Sequence, residues 1–100
     1  MIKSLTTSEF KDATYTDTSL IAFTAPWCPP CRELKPILEE FAEDNSNIAN
    51  FYSVNIDDEK ALAKENRIMG IPTILVFKNG VQTARESGSI TREKLTDMIM

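Results

Sequence analysis

The sequence predicts an α/β fold: a mixed central β-sheet with helices on both faces, in the order βαβαβαββα. Three observations carry that expectation. Short apolar runs of strand length alternate with amphipathic stretches of helical period. Strands joined through an intervening helix are expected to lie parallel, with right-handed crossovers. Asn79-Gly80 is the strongest hairpin signal in the chain, because a type I′ turn needs two residues tolerant of positive φ, and it makes the last strand pair antiparallel.

Taken in order, "MIKSL" reads as a short strand and "TSEFKDAT" as a short helix. "SLIAF" (Ser19–Phe23) has the length and composition of a strand buried on both faces. Leu34, Ile37, Leu38, Phe41 and Ala42 then recur at i, i+3, i+4, i+7 and i+8, one apolar stripe on a helix, with Glu33, Glu39, Glu40 and Glu43 off it. That helix should end in "EDNSN", where Asp, Asn and Ser favour turns. "NFYSVNI" (Asn50–Ile56) is a second strand with Tyr52, Val54 and Ile56 on one face. "DDEKALAKEN" follows as a helix, with Asp58 as its N-cap and Glu59 in its first turn. "PTILVFK" is too apolar to be half exposed, and the Asn79-Gly80 turn pairs Thr73–Lys78 with Val81–Ser87. Thr91 caps a last helix whose apolar positions are Leu95, Met98 and Ile99.

A chain of 100 residues suits a single domain, here residues 1–100, because one core of that size buries enough surface to fold alone. Eleven basic against fifteen acidic residues leave a net charge of −4, which argues against nucleic-acid binding and against an anionic membrane. No apolar run approaches the ~20 residues of a membrane span. The first residues lack the apolar region of a signal peptide, so the chain as given reads as cytoplasmic unless a leader was removed. The acidic clusters Glu39–Asp44 and Asp57–Glu59 read as solvated faces and are assigned no partner.

The chemistry concentrates in "TAPWCPPCRELKP", which holds both cysteines and four of the five prolines. Cys28 and Cys31 are three apart, nearly one helical turn, which sets their Cα atoms about 5.5 Å apart and lets a disulfide open and close without rebuilding the backbone. Pro30 suits the first helical turn, where φ is already set and no N–H partner is needed. Cys28 then lies at the helix N-terminus, where unpaired N–H groups and the dipole favour a thiolate, and Cys31 lies a turn deeper and better shielded. Cys28 is therefore expected to attack and Cys31 to resolve. The chain has no histidine, so no imidazolium assists; Arg32 is the nearest cation. Zinc would need two further Cys or His ligands that the chain lacks, and no metal or cofactor is expected. A metal centre shared between two chains and a purely structural disulfide are the remaining alternatives to redox chemistry.

"APWCPPC" after an apolar strand, Pro36 eight residues past the first Cys, "VNIDDE", "IMGIPTILVFKNG" and Gly88 together resemble the thioredoxin family over nearly the whole chain. The resemblance implies the thioredoxin fold and a monomeric protein-disulfide reductase, recharged by a thioredoxin-reductase-type electron donor and acting on disulfide-containing proteins. It matches Cys28 to the nucleophile, Cys31 to the resolving thiol and Trp27 to the tryptophan beside them. Ile71-Pro72 matches the dipeptide that faces the pair, with the proline cis. Trp27, Pro29, Ile71, Pro72 and Gly88 then line the groove that holds an extended substrate segment.

Two departures from the family pattern stand out. Pro29 replaces the glycine of WCGPC, and a buried Asp six residues before the first Cys is here Ala22. The lysine that partners that Asp is here Ser53, so both members of a charge pair are replaced together, which costs far less than losing one. The alternative reading is a thioredoxin-fold adaptor whose groove docks a partner while redox cycling is secondary.

Overall fold

A computed structural model describes residues 2–100. Its elements are β1 (Lys3–Ser4), α1 (Thr7–Thr14), β2 (Thr18–Thr24), α2 (Pro29–Asp44), β3 (Asn50–Asn55), α3 (Lys60–Glu65), β4 (Thr73–Lys78), β5 (Val81–Ser87) and α4 (Arg92–Ile99). The expected order is therefore found; Met1, the first residue of the expected initial strand, lies outside the described residues. The five strands form one mixed sheet in the order β1-β3-β2-β4-β5.

β2 and β4 occupy the middle, and their side chains are buried on both faces, as their unbroken apolar runs require. One face packs Leu20, Ala22, Ile74 and Val76 against Leu34, Leu38 and Phe41 of α2 and Leu95 and Ile99 of α4. The other packs Ile21, Phe23, Val54, Leu75 and Phe77 against Leu62 of α3, with Phe10 and Ala13 of α1 closing over it. Helices thus cover both faces. Thr91 caps α4 as expected, its side chain accepting from the Lys94 N–H. Asn79 and Gly80 both take positive φ in the hairpin turn, at 52° and 88°.

Tyr52, Val54 and Ile56 pack into one cluster, as expected, and Phe51 on the opposite face of β3 is buried too, because β3 lies between β1 and β2 with α2 over that face. Two local expectations are corrected. Ile37 is 39% exposed. At 100° per residue it stands about 90° from the centre of the buried stripe, whose missing member is Cys31. Asp58 does not cap α3; the N-cap is Glu59, whose carboxylate instead accepts from the Thr7 N–H (2.6 Å) and hydroxyl (2.9 Å) and ties α3 to α1. The acidic side chains of Glu39–Asp44 are exposed, as expected, and two of them, Glu40 and Asp44, pair with Arg92 (3.4 and 2.6 Å), which also lies over the Phe41 ring.

The most consequential correction concerns strand direction. β1, β2 and β3 run parallel, but β4 runs antiparallel to β2, although α3 separates it from β3. Six residues of helix rise only ~9 Å, whereas a six-residue strand is ~20 Å long. α3 is too short to carry the chain back to the far end of the sheet, so β4 starts at the end where β2 and β3 finish. Thr73, its first residue, is the register partner of Phe23 near the end of β2.

Candidate active site

That end of the sheet gathers the chemistry. β2 finishes at Thr24, a short loop leads to Cys28, and the reversal into β4 brings Ile71 and Pro72 alongside. Cys28, Cys31 and Ala25 form a small buried cluster against which Ile56 and Ile71 pack.

Cys28 is the N-cap of α2, with extended backbone, and its Sγ accepts a hydrogen bond from the Cys31 N–H at 3.3 Å. The helix starts at Pro29, so both prolines sit in the first turn, where an N–H would have no intrahelical partner. Neither proline disrupts the helix, and together they have a sharper effect. Of the first three helical positions only Cys31 retains an N–H, and that one is aimed at Cys28 Sγ. Cys28 and Cys31 are joined as a disulfide, with Cα atoms 5.2 Å apart.

The two sulfurs do not differ in exposure as expected. Cys28 is 3% exposed and Cys31 5%, so depth does not distinguish them. What differs is the surface each one borders. Cys28 Sγ lies 3.8 Å from the Ile71 carbonyl oxygen, on the side of the β4 loop. Cys31 lines a cavity of about 610 Å³ between α2 and strands β1–β3, which neither Cys28 nor Ile71 borders. Ala22 and Ser53 are register partners on β2 and β3 and line that same cavity. The two positions where the family pattern has a charge pair are thus directly opposed, and here they carry a methyl and a hydroxyl.

The residues expected to line a groove are placed as follows. Trp27 is 59% exposed, which rules out a core aromatic, and its indole N–H donates to Asp57 Oδ2 at 2.8 Å. Asp57 is oriented in turn by its own N–H, which donates to Asn55 Oδ1 at 2.9 Å. The Ile71-Pro72 peptide bond is cis, with Pro72 fully buried and Ile71 partly so. Gly88 has φ 83°, a conformation that favours glycine, and its N–H donates to the Pro72 carbonyl at 3.1 Å. Arg32 donates its Nε–H to the Pro26 carbonyl at 3.0 Å, which braces the loop before the cysteines.

Three supporting residues escaped the sequence reading. Asp57 was assigned to a solvated face, yet it holds Trp27. Thr73, fully buried, donates its hydroxyl to the Gly70 carbonyl at 2.6 Å and shares a 2.8 Å hydrogen bond with Ser87. Arg85 on β5 donates to the carbonyls of Asn66 (2.7 Å) and Arg67. The last two brace the loop that carries Ile71 and Pro72. A Thr directly after the Pro and an Arg in the last strand are the visible signals, but the pairing across the hairpin is needed to interpret them.

The thioredoxin family model matches residues 1–100. The chain belongs to the thioredoxin family. A thioredoxin of Staphylococcus saprophyticus is 35% identical over 98 residues, covering 98% of this chain and 94% of that protein. Among solved structures, the thioredoxin of Malassezia sympodialis superposes with a TM-score of 0.89 at 30% identity, over 98% of this chain and 89% of that one. A thioredoxin variant from Halobacterium salinarum gives the same score at 31% identity, over 97% and 86%. With the Cys28–Cys31 disulfide in place, the chain is a thiol–disulfide oxidoreductase acting on protein disulfides. Thioredoxins as a family act on disulfide substrates together with a thioredoxin reductase. Among the described residues no group of His, Cys, Asp and Glu could hold a metal ion, and no helix is long and apolar enough to cross a membrane.

Proposed function

We propose that residues 1–100 form one catalytic domain that reduces protein disulfides, with Cys28 as the nucleophile and Cys31 as the resolving thiol. The observation that carries this reading is the contrast between the surfaces the sulfurs border. Cys28, at the N-cap of α2, has its Sγ 3.8 Å from the Ile71 carbonyl oxygen, whereas Cys31 lines the cavity between α2 and strands β1–β3, which neither Cys28 nor Ile71 borders. A substrate segment laid along Trp27, Pro29, Ile71, Pro72 and Gly88 meets Cys28 first. The Gly88 N–H is already committed to Pro72, so the backbone groups offered to that segment are those of Ile71 and the Gly88 carbonyl.

In the reaction the Cys28 thiolate attacks one sulfur of the substrate disulfide. A Cys28–substrate disulfide forms, and the other substrate sulfur leaves as a thiolate that takes a proton from solvent. Cys31 then loses its proton, and its thiolate attacks Cys28 Sγ. The Cys28–substrate bond breaks, the second substrate thiolate departs and is protonated, and the Cys28–Cys31 disulfide closes. Two electrons pass to the substrate. The Cys31 N–H stabilises the Cys28 thiolate before the first step, as the one first-turn amide that the two prolines leave available.

The protein is expected to work as a cytoplasmic monomer recharged by a thioredoxin-reductase-type donor. NADPH-coupled reduction of a protein disulfide, with that reductase present, tests the reading. Cys28→Ser should abolish turnover, and Cys31→Ser should accumulate substrate as a mixed disulfide. Full turnover by Cys28→Ser, or no trapped substrate on Cys31→Ser, would overturn it. A pure adaptor would instead bind the same partners equally well as either serine variant.

A further inference from the structure

The cavity behind Cys31 has a volume of about 610 Å³, and nothing in the reaction so far uses it. Its inner wall is uncharged: Ala22, Thr24 and Ala25 come from β2 and the loop after it, Ser53 and Asn55 from β3 and Ser4 from β1. All its charged groups come from α2: Arg32, Lys35 and Glu39. These three are not equivalent. Arg32 is held by its Nε–H on the Pro26 carbonyl. Glu39 is eight residues from Cys31, ~12 Å along the helix axis, whereas Lys35 is four residues away, ~6 Å, on the same helix face. Lys35 forms no ion pair among the described residues. The nearer charge dominates where both share one medium, so the field at Cys31 from this wall is positive.

We propose that Lys35 is a positioning residue for the resolving step, its ammonium acting across the cavity to favour the Cys31 thiolate. The inference rests on the assignment of Cys31 as the resolving thiol. Once the Cys28–substrate disulfide has formed, Cys31 must give up its proton, yet β1, β2 and β3 offer it no ionisable neighbour. Lys35 lowers the cost of the resulting charge without taking the proton, which leaves to solvent through the cavity, whose rim carries the exposed Arg32, Lys35 and Glu39. Its effect is read as a displacement of the Cys31 titration.

The test uses the full chain with Cys28→Ser, which leaves Cys31 as the sole thiol, and follows thiolate absorbance against pH. Lys35→Met should move the Cys31 midpoint upward by about one unit. Lys35→Glu should move it further, and Lys35→Arg should restore it. With both cysteines present, Lys35→Met should slow disulfide reduction at neutral pH by up to about tenfold and match the parent above the new midpoint. Superimposable titrations of the parent, Met and Glu forms would overturn the proposal, as would failure of Arg to restore a shift caused by Met. A parent protein that turns over no disulfide, or a Cys31→Ser form that traps none, would instead defeat the assignment of Cys31 on which the inference rests.

Discussion

Trp27 and Asp57 are joined by a 2.8 Å hydrogen bond from the indole N–H to Oδ2, which fixes an exposed ring at the edge of the Cys28 groove. An exposed aromatic without such a tether would sample several rotamers, and a substrate would have to order it. Asp57→Ala should therefore raise KM more than it lowers kcat. A bond worth about 1 kcal/mol corresponds to roughly a fivefold change. Steady-state reduction of a protein disulfide, together with Trp27 fluorescence anisotropy, checks this; an unchanged KM with a mobile indole would refute it.

Ala22 and Ser53 face each other across β2 and β3 beside Cys31, so a charge pair placed there would have its partner within reach. Ala22→Asp alone should destabilise the protein by about 3 kcal/mol at neutral pH, because a buried carboxylate would lack a counter-charge. Adding Ser53→Lys should recover most of that loss. The double variant should also reduce disulfides faster at neutral pH, by about tenfold, since it places a general base beside the resolving thiol. Denaturant melts and pH–rate profiles of the three proteins settle both parts, and unchanged rates in the double variant would reject the second.

Gly80 ends the β4–β5 turn at φ 88°, and a Cβ there would come within 2.7 Å of the Tyr15 ring. Its N–H donates to the Thr14 carbonyl at 2.9 Å, so the turn is also fastened to the end of α1. Gly80→Ala should cost about 1 kcal/mol from the backbone alone. In a chain of this size that lowers Tm by about 4–8 °C. The redox site is at the other end of the sheet, so kcat should be unaffected at temperatures well below the melt. Calorimetry and the disulfide assay separate the two effects.

Glu9 accepts hydrogen bonds from the Thr6 N–H at 2.9 Å and the Thr6 hydroxyl at 3.0 Å, and Lys3 is nearby. The backbone bond chiefly, then the hydroxyl, and more weakly Lys3 hold its carboxyl below the ordinary glutamate value of 4.5. A depressed folded-state pKa contributes stability that is fully present above the unfolded value and is lost as pH falls through the folded one. Glu9→Ala should therefore be less stable than the parent at neutral pH, and the gap should close as pH drops below about 4.5. Urea midpoints measured down the pH range provide the check; a gap that persists undiminished into strong acid would contradict the assignment.

Much of this architecture was legible in the residues because local and global signals agree. β2 and β4 announce burial on both faces by composition, Asn79-Gly80 fixes the hairpin and Thr91 places α4. The alternation of Tyr52, Val54 and Ile56 marks one face of β3, and those three side chains pack together. Asp58 misled because an acid at the right spacing is a common cap, whereas here Glu59 precedes the helix and its carboxylate is used on Thr7. At the site, Cys28, Cys31, Trp27, Ile71, Pro72 and Gly88 all converge on one end of the sheet. The roles of Asp57, Thr73 and Arg85 were not legible, because each depends on a partner distant in the chain whose identity only the strand pairing reveals. The cavity behind Cys31 was invisible for the same reason, being bounded by α2 and three different strands.

The reversal at β4 has a consequence for durability. Cys28 follows β2 and Pro72 precedes β4, and these two strands are neighbours in the middle of the sheet, bonded from Thr18–Lys78 to Phe23–Thr73. The spacing between Cys28 and Pro72 is therefore set by a ladder in the most protected part of the molecule and not by the loops that bear the two residues. Heating should erode the termini and the β1 edge first, while catalytic competence survives until the central pair separates. Inactivation and the final, cooperative loss of the sheet should then be one event.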